Sequence, residues 1–157
     1  MANYKINIFY FILISTLLVT SCGYKKVDKL NGKYNSQKIN IKGDKRIGYI
    51  LKNEIVLNSS IKSNNLITIT INTKKKKLIK EKNIKNKTTK YEVRVSTNIK
   101  FVLNESKQEI ENLFTRSFFY NVDKDHSKSL TNEKDELTDL TVLLAEDIID
   151  FLNSHFN

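Results

Sequence analysis

One side chain in this 157-residue chain carries a thiol: Cys22, within STLLVTSCGYKK, residues 15–26. Sulfur is the better nucleophile at neutral pH, and a thiol gives a stable thioether under mild conditions. A single cysteine excludes a disulfide within the chain and any zinc site built from several thiolates. The second concentration of chemistry is cationic: the run Lys74, Lys75, Lys76, Lys77, with Arg94 and Arg116 further on. Lysine ammoniums meet phosphates as mobile point charges, and guanidiniums meet them as planar forks. Other roles are open to these residues. Lysines guard exposed strands against pairing with other chains, and either arginine can form a cross-strand pair with Glu92 or another carboxylate. His126 lies near Asp123 and Asp125 in DKDHSKS, but three flexible ligands without a fourth read as a solvated loop and not as a metal site. His155 falls near a helix end, facing water and the negative end of the dipole. No Gly-rich phosphate loop or nucleophilic serine motif is present. The expectation is a protein that is not an enzyme and uses no cofactor.

The residues ahead of Cys22 indicate how its thiol is used. Lys5 gives a positive start, and an apolar stretch of about a dozen residues follows, Ile8 to Val19, interrupted by Ser15 and Thr16. A membrane-spanning helix needs roughly 20 residues, so the pattern is that of a secretory signal peptide. Val19-Thr20-Ser21-Cys22, an aliphatic residue and two small ones before cysteine, resembles the lipobox of bacterial lipoproteins. That resemblance implies a diacylglycerol thioether on Cys22, removal of 1–21, and an acylated Cys22 as the first residue of a mature chain of 136 residues. Two or three acyl chains hold firmly where one binds only marginally. The alternative is an ordinary signal peptide followed by a free cysteine, a liability in an exported protein.

The formal charge of +10 is unevenly distributed. Residues 22–100 carry 21 Lys/Arg against 5 Asp/Glu, whereas residues 101–157 carry 5 against 12. A basic first part and an acidic last part suggest a polyanionic partner for the former. Composition offers a competing cause: 24 of the 27 basic residues are Lys, Asn and Ile occur 19 times each, and Pro and Trp are absent. An AT-rich genome writes such a composition by default, although it explains the KKKK run less well. Nucleic acid is not the expected partner, because an exported, lipid-anchored protein meets phosphates mainly on membrane lipids.

The elements that position these groups follow from periodicity. Residues 22–36 read as a polar tether, and 37–157 as one domain. QKINIK, 37–42, is a short strand. KRIGYILKNEIVL, 45–57, is a helix that Asp44 can cap, although Gly48 weakens it. LITITIN, 66–72, alternates as a strand, its lysine-rich continuation able to extend it and then turn. KYEVRVSTNIKFVL, 90–103, places Tyr91, Val93, Val95, Thr97, Ile99, Phe101 and Leu103 on one face. EIENLFTRSFFYNV, 109–122, is a fourth strand whose alternation slips, as a bulge would explain; its three- and four-residue steps also fit a helix, but the Phe, Phe, Tyr and Val near its end favour the strand. NEKDELTDLTVLLAEDIIDFLNSHF, 132–156, is a helix with Asn132 as its cap and a stripe from Leu137 to Leu152. The expected fold is α+β: a two-layer sandwich in which two helices cover one face of a four-stranded, mostly antiparallel sheet and leave the other face wet.

This order behind a lipidated cysteine resembles the LPS-assembly lipoprotein family of the LptE type. CGY at 22–24 resembles the start of its mature members, and TKYEVRVSTNIKFVL at 89–103 their long central strand. The stretch from RSFFYNV through DIIDFL, 116–152, resembles their last strand, loop and final helix. The resemblance implies an outer-membrane protein at the periplasmic face, anchored by the lipid on Cys22. Such proteins plug the lumen of an LptD-type β-barrel translocon, help it assemble and bind lipopolysaccharide. Gly23 directly after the cysteine is compatible with release to the outer membrane. The resemblance gives Lys74, Lys75, Lys76, Lys77, Arg94 and Arg116 a role as candidate contacts to the phosphates of the lipid A head group. The alternatives are a lipid-anchored envelope scaffold and an anion-binding lipoprotein with no barrel partner.

Overall fold

The structure, a computed structural model, describes residues 32–156; Cys22, the leader and most of the expected tether lie outside them. Six elements follow in order: β1 (Asn35–Gly43), α1 (Lys45–Leu57), β2 (Leu66–Lys82), β3 (Thr88–Leu103), β4 (Glu109–Asn121) and α2 (His126–Ser154). The strands form one sheet in the order β1-β2-β3-β4. β1 runs parallel to β2, and the other two pairs are antiparallel. This is the expected α+β sandwich, with both helices on one face. α1 lies over β1 and β2, α2 lies over β4 and β3, and the two helices pack on each other.

The core forms because two periodicities meet. Every second residue of β2 and β3 points at the helices: Ile67, Ile69, Ile71 and Thr73, and Val93, Val95, Thr97, Ile99 and Phe101, all fully buried. Against them α1 sets Ile47, Leu51 and Ile55, and α2 sets Leu137, Leu140, Leu144, Ile148 and Leu152, at the three- and four-residue steps that keep side chains on one helix face. Phe101 anchors the end of the sandwich, meeting the rings of Phe151 and His155 edge-on at 5.9 and 5.4 Å. A polar pair lies inside, Thr73 with Thr97, whose hydroxyls are 3.1 Å apart, so each satisfies the other.

Two glycines make the β1–α1 corner possible. Gly43 has φ +76, and a Cβ there would lie 2.0 Å from the carbonyl oxygen of Thr73. The helix then starts at once, because the Asp44 carboxylate accepts from the Ile47 amide at 3.2 Å. Gly48 costs the helix some propensity, but a Cβ there would lie 2.4 Å from Cγ2 of Ile41. Its bare surface lets α1 settle onto β1.

Several boundaries differ from expectation. The domain begins before residue 37. Tyr34 is fully buried, its hydroxyl donates to the Ile55 carbonyl at 3.2 Å, and burial pushes its pKa well up. β2 extends through all four lysines, as its sequence allowed, and then on to Lys82, because a β3 partner faces it along the whole hairpin. α2 starts at His126 and not after Asn132, because the Asp125 carboxylate accepts from the Ser127 amide at 2.9 Å. The Ser129 hydroxyl then accepts from the Asp123 amide at 2.8 Å. The six residues gained carry no apolar stripe, so periodicity could not show them. β4 has no bulge: its register against β3 is unbroken from Asn121 to Glu109. The slip arises because Leu113 and Phe119 point to the uncovered face.

Candidate anion-binding face

The pairing of β2, β3 and β4 sorts the six candidate cations by face. Lys75 lies across from Val95, which lies across from Arg116, and Lys77 from Val93 and then Phe118. Val93 and Val95 face the helices, so Lys75, Lys77 and Arg116 do too. Lys74 lies across from Ser96 and Thr115, and Lys76 from Arg94 and Ser117, on the open face. The cluster therefore divides into two groups of three.

The helix-facing group is tied to α2. Lys77 Nζ sits 2.7 Å from Oε2 of Glu133 and 4.3 Å from the Tyr91 ring centre, and Lys75 Nζ sits 3.9 Å from Glu133 Oε1. The Tyr120 hydroxyl donates to the same carboxylate at 2.7 Å. Partial burial alone would raise the Glu133 pKa, but the bonds from Lys77 and Tyr120 outweigh it and hold it below the ordinary carboxylate value. Arg116 forks onto Asp147 at 2.6 and 2.7 Å, and this bond lowers the Asp147 pKa. Its register puts Arg116 under α2, where it joins strand to helix and is not free to meet a ligand on the open face.

The open-face group is different. Arg94 donates from Nε and Nη2 to one oxygen of Glu92 at 3.1 and 2.8 Å, and Lys80 Nζ lies 2.5 Å from the other. Those two cations cover Glu92 so well that it is 2 % exposed, and the bonds from Lys80 and then Arg94 hold its pKa down. Arg94 is thereby fixed in orientation. Lys74 and Lys76 have no carboxylate partner among the described residues. With Arg94, Ser96 and Leu113 they line a shallow cavity of about 310 Å3. Toward the other end of the face the charge is balanced, with Lys100 paired to Glu109 and the Asn98 amide donating to Glu111 at 2.5 Å.

Sequence reasoning missed the apolar share of this face. Leu113 (64 % exposed), Phe119 (54 %) and Leu78 stand among the cations, with Lys80 and Lys90 near the Phe119 ring. The slipped alternation of β4 was the signal that could have found Leu113 and Phe119. Cations next to exposed apolar side chains suit an amphiphile with an anionic head, because ammoniums meet the charge while apolar surface leaves water. Near the start of α2, Asp123 and Asp125 are engaged with backbone amides at 2.9 Å. No group of three His, Cys, Asp or Glu placed to hold a metal occurs among the described residues.

Fold and face together define a two-layer α+β domain with one helix-covered face and one open basic face. Solved proteins share this architecture. Rare lipoprotein B from Shewanella oneidensis superposes with a TM-score of 0.59 at 10 % identity, over 75 % of this chain and 95 % of that one. A minor lipoprotein from Acinetobacter baumannii gives 0.56 at 10 % identity over 79 % and 94 %. Lipoprotein B from Nitrosomonas europaea gives 0.52 at 16 % over 79 % and 87 %. At these identities the likeness is one of fold. No protein-family model and no curated protein matches the sequence.

Proposed function

We propose that this chain is an outer-membrane lipoprotein of the lipopolysaccharide transport and assembly machinery. In this reading Cys22 carries the lipid and holds the domain at the periplasmic face of the outer membrane. The domain occupies the lumen of an LptD-type β-barrel, assists its assembly, and binds lipopolysaccharide on the open face. The role is one of binding, without an enzymatic step, a cofactor or nucleic acid.

The observation that carries the reading is the set Lys74, Lys76 and Arg94 around Leu113 on a sheet face that no described element covers. A phosphate of the lipid A head lies against the two unpaired ammoniums and the guanidinium that Glu92 has already oriented. An acyl stem lies along Leu113. Contacts of this kind at exposed sites are individually weak, ~1 kcal/mol or less, so binding is reversible and the ligand can be passed on. Two further facts support the reading: the fold is shared with solved proteins that are themselves called lipoproteins, and this sequence has a lipobox-like VTSC of its own.

Affinity purification of the tagged chain from its native envelope in mild detergent tests the proposal. A large β-barrel is expected to co-purify together with lipopolysaccharide. Lipopolysaccharide without a barrel would point to an anion-binding lipoprotein that works alone. Neither one would leave a lipid-anchored scaffold and overturn the transport role.

A further inference from the structure

Beyond the cavity on the open face, the tip of the β2–β3 hairpin has a character of its own. Residues 74–90 hold nine lysines and one carboxylate, Glu81. From Leu78 to Lys87 every residue is exposed, because the hairpin runs on past the Lys77–Glu133 contact with the helix layer. Lys80 is engaged by Glu92, and Lys90 by Glu81. Lys82, Lys85 and Lys87, which surround the apex, have no carboxylate partner among the described residues. Between them stands Ile84, its side chain wholly in water at 103 % exposure, with Ile79 (53 %) further down the same hairpin.

The turn that presents Ile84 is closed on itself. The Asn83 amide donates to the Lys87 carbonyl and the Asn86 amide to the Asn83 carbonyl, each at 2.9 Å. The Asn83 side-chain oxygen accepts from the Lys85 and Lys87 amides at 3.0 Å each. Asn86 takes the left-handed conformation, φ 58, that the turn requires. Four amide donors at the apex are thus satisfied internally. Moving the tip into a less polar medium strands none of them, and no ordering entropy is needed to form the shape.

We propose that this tip is a docking element for an anionic lipid bilayer, with Ile84 seated at the boundary of headgroups and acyl chains and Lys82, Lys85 and Lys87 at the level of the phosphates. Charge complementarity selects the occupant: an apolar apex ringed by lysines whose stems can lie along acyl chains while their ammoniums stay at the headgroups is the arrangement that favours an interface. Each lysine held near an anionic surface strengthens partitioning roughly fivefold at physiological salt. The inference rests on the hairpin alone and does not depend on the barrel or the lipopolysaccharide reading.

The chain contains no tryptophan, so Ile84→Trp in the full chain is a single fluorescent reporter at the apex. Leu143→Trp, on the exposed side of α2, is the matching control. The Ile84→Trp chain is mixed with vesicles of phosphatidylcholine containing about one-third phosphatidylglycerol. Its emission is expected to shift to the blue and to be quenched by brominated acyl chains, while that of Leu143→Trp stays red and unquenched. Adding Lys82→Gln, Lys85→Gln and Lys87→Gln is expected to abolish most of the quenching. Unshifted emission from Ile84→Trp in anionic vesicles would overturn the proposal. So would equal quenching in phosphatidylcholine alone, or the same shift produced by soluble glycerol phosphate without vesicles.

Discussion

Replacing Lys74, Lys76 and Arg94 together by Gln removes the open-face charges and keeps side chains of similar reach. An exposed ion pair contributes about 0.5–1 kcal/mol. Three of them sum to about 1.5–3 kcal/mol, which is roughly 10- to 150-fold in Kd for lipopolysaccharide. Arg94 already shares its charge with Glu92 at 2.8 Å, so its part falls at the lower end. The effect is largest at about 0.01 M salt, where charges act over ~30 Å, and shrinks as that distance falls to ~8 Å at physiological ionic strength. The control is Lys75→Gln with Lys77→Gln. These residues are neighbours in sequence but face α2 and already pair with Glu133 at 3.9 and 2.7 Å, so their loss is expected to change Kd by about twofold or less. Calorimetric titration with lipopolysaccharide at two salt concentrations reads both. Unchanged affinity in the triple variant, or an equal loss in the double variant, would refute the division of the cluster by face.

Other substitutions probe how the face is held. Gly48→Ala gains about 1 kcal/mol of helix propensity. It also drives a methyl to 2.4 Å from Ile41, a branched side chain that cannot easily turn away. Overpacking of about 1–3 kcal/mol is expected to win, lowering the urea midpoint, and Ile41→Ala is expected to relieve it; a stabilised Gly48→Ala would contradict the close approach. Thr97→Val is expected to lower stability by about 1–3 kcal/mol, because it leaves the Thr73 hydroxyl buried without its partner. Thr73→Val with Thr97→Val is expected to recover much of that loss, and a double variant less stable than the single one would be the contrary result. Acid is expected to weaken the fold. Asp147, Glu133 and Glu92 all have folded pKa values below their ordinary ones. Their stabilisation is complete above the unfolded values of about 4 and is lost as pH falls through the lower folded values. Urea midpoints measured between about pH 6 and 2 are expected to decline below about pH 4, less steeply in Asp147→Asn; stability that rose on acidification would contradict the ion-pair assignments.

What the sequence disclosed, and what it hid, follows from where the periodic signal lies. The inward face of β3 was readable because Tyr91, Val93, Val95, Thr97, Ile99, Phe101 and Leu103 recur at every second position, and the stretch from Val93 to Phe101 is buried under the helix layer. The first helix was readable to the residue, since Asp44 caps it and Ile47, Leu51 and Ile55 repeat every fourth position. The start of α2 was not, because capping by Asp125 and the Ser129 bond, and not apolar burial, hold its first turns. The lysine run was visible as charge, and alternation alone separates Lys75 and Lys77 from Lys74 and Lys76. Its counter-charge was hidden: Glu133 lies 56 residues away from Lys77 in sequence and meets it only through the packing of α2 on the sheet. Glu92 appeared as one more residue on a wet face, although Lys80 and Arg94 close over it. The candidate face was thus half legible. Its charge could be read locally, whereas its division into tied and free cations is a product of tertiary structure.

Site-specific photo-crosslinking in living cells tests the working face most directly. A photoreactive residue at Leu113, beside Lys74, Lys76 and Arg94, is expected to capture lipopolysaccharide. One at Leu143, on the outer side of α2, is expected not to. Capture of lipopolysaccharide at Leu143 and not at Leu113 would contradict the account.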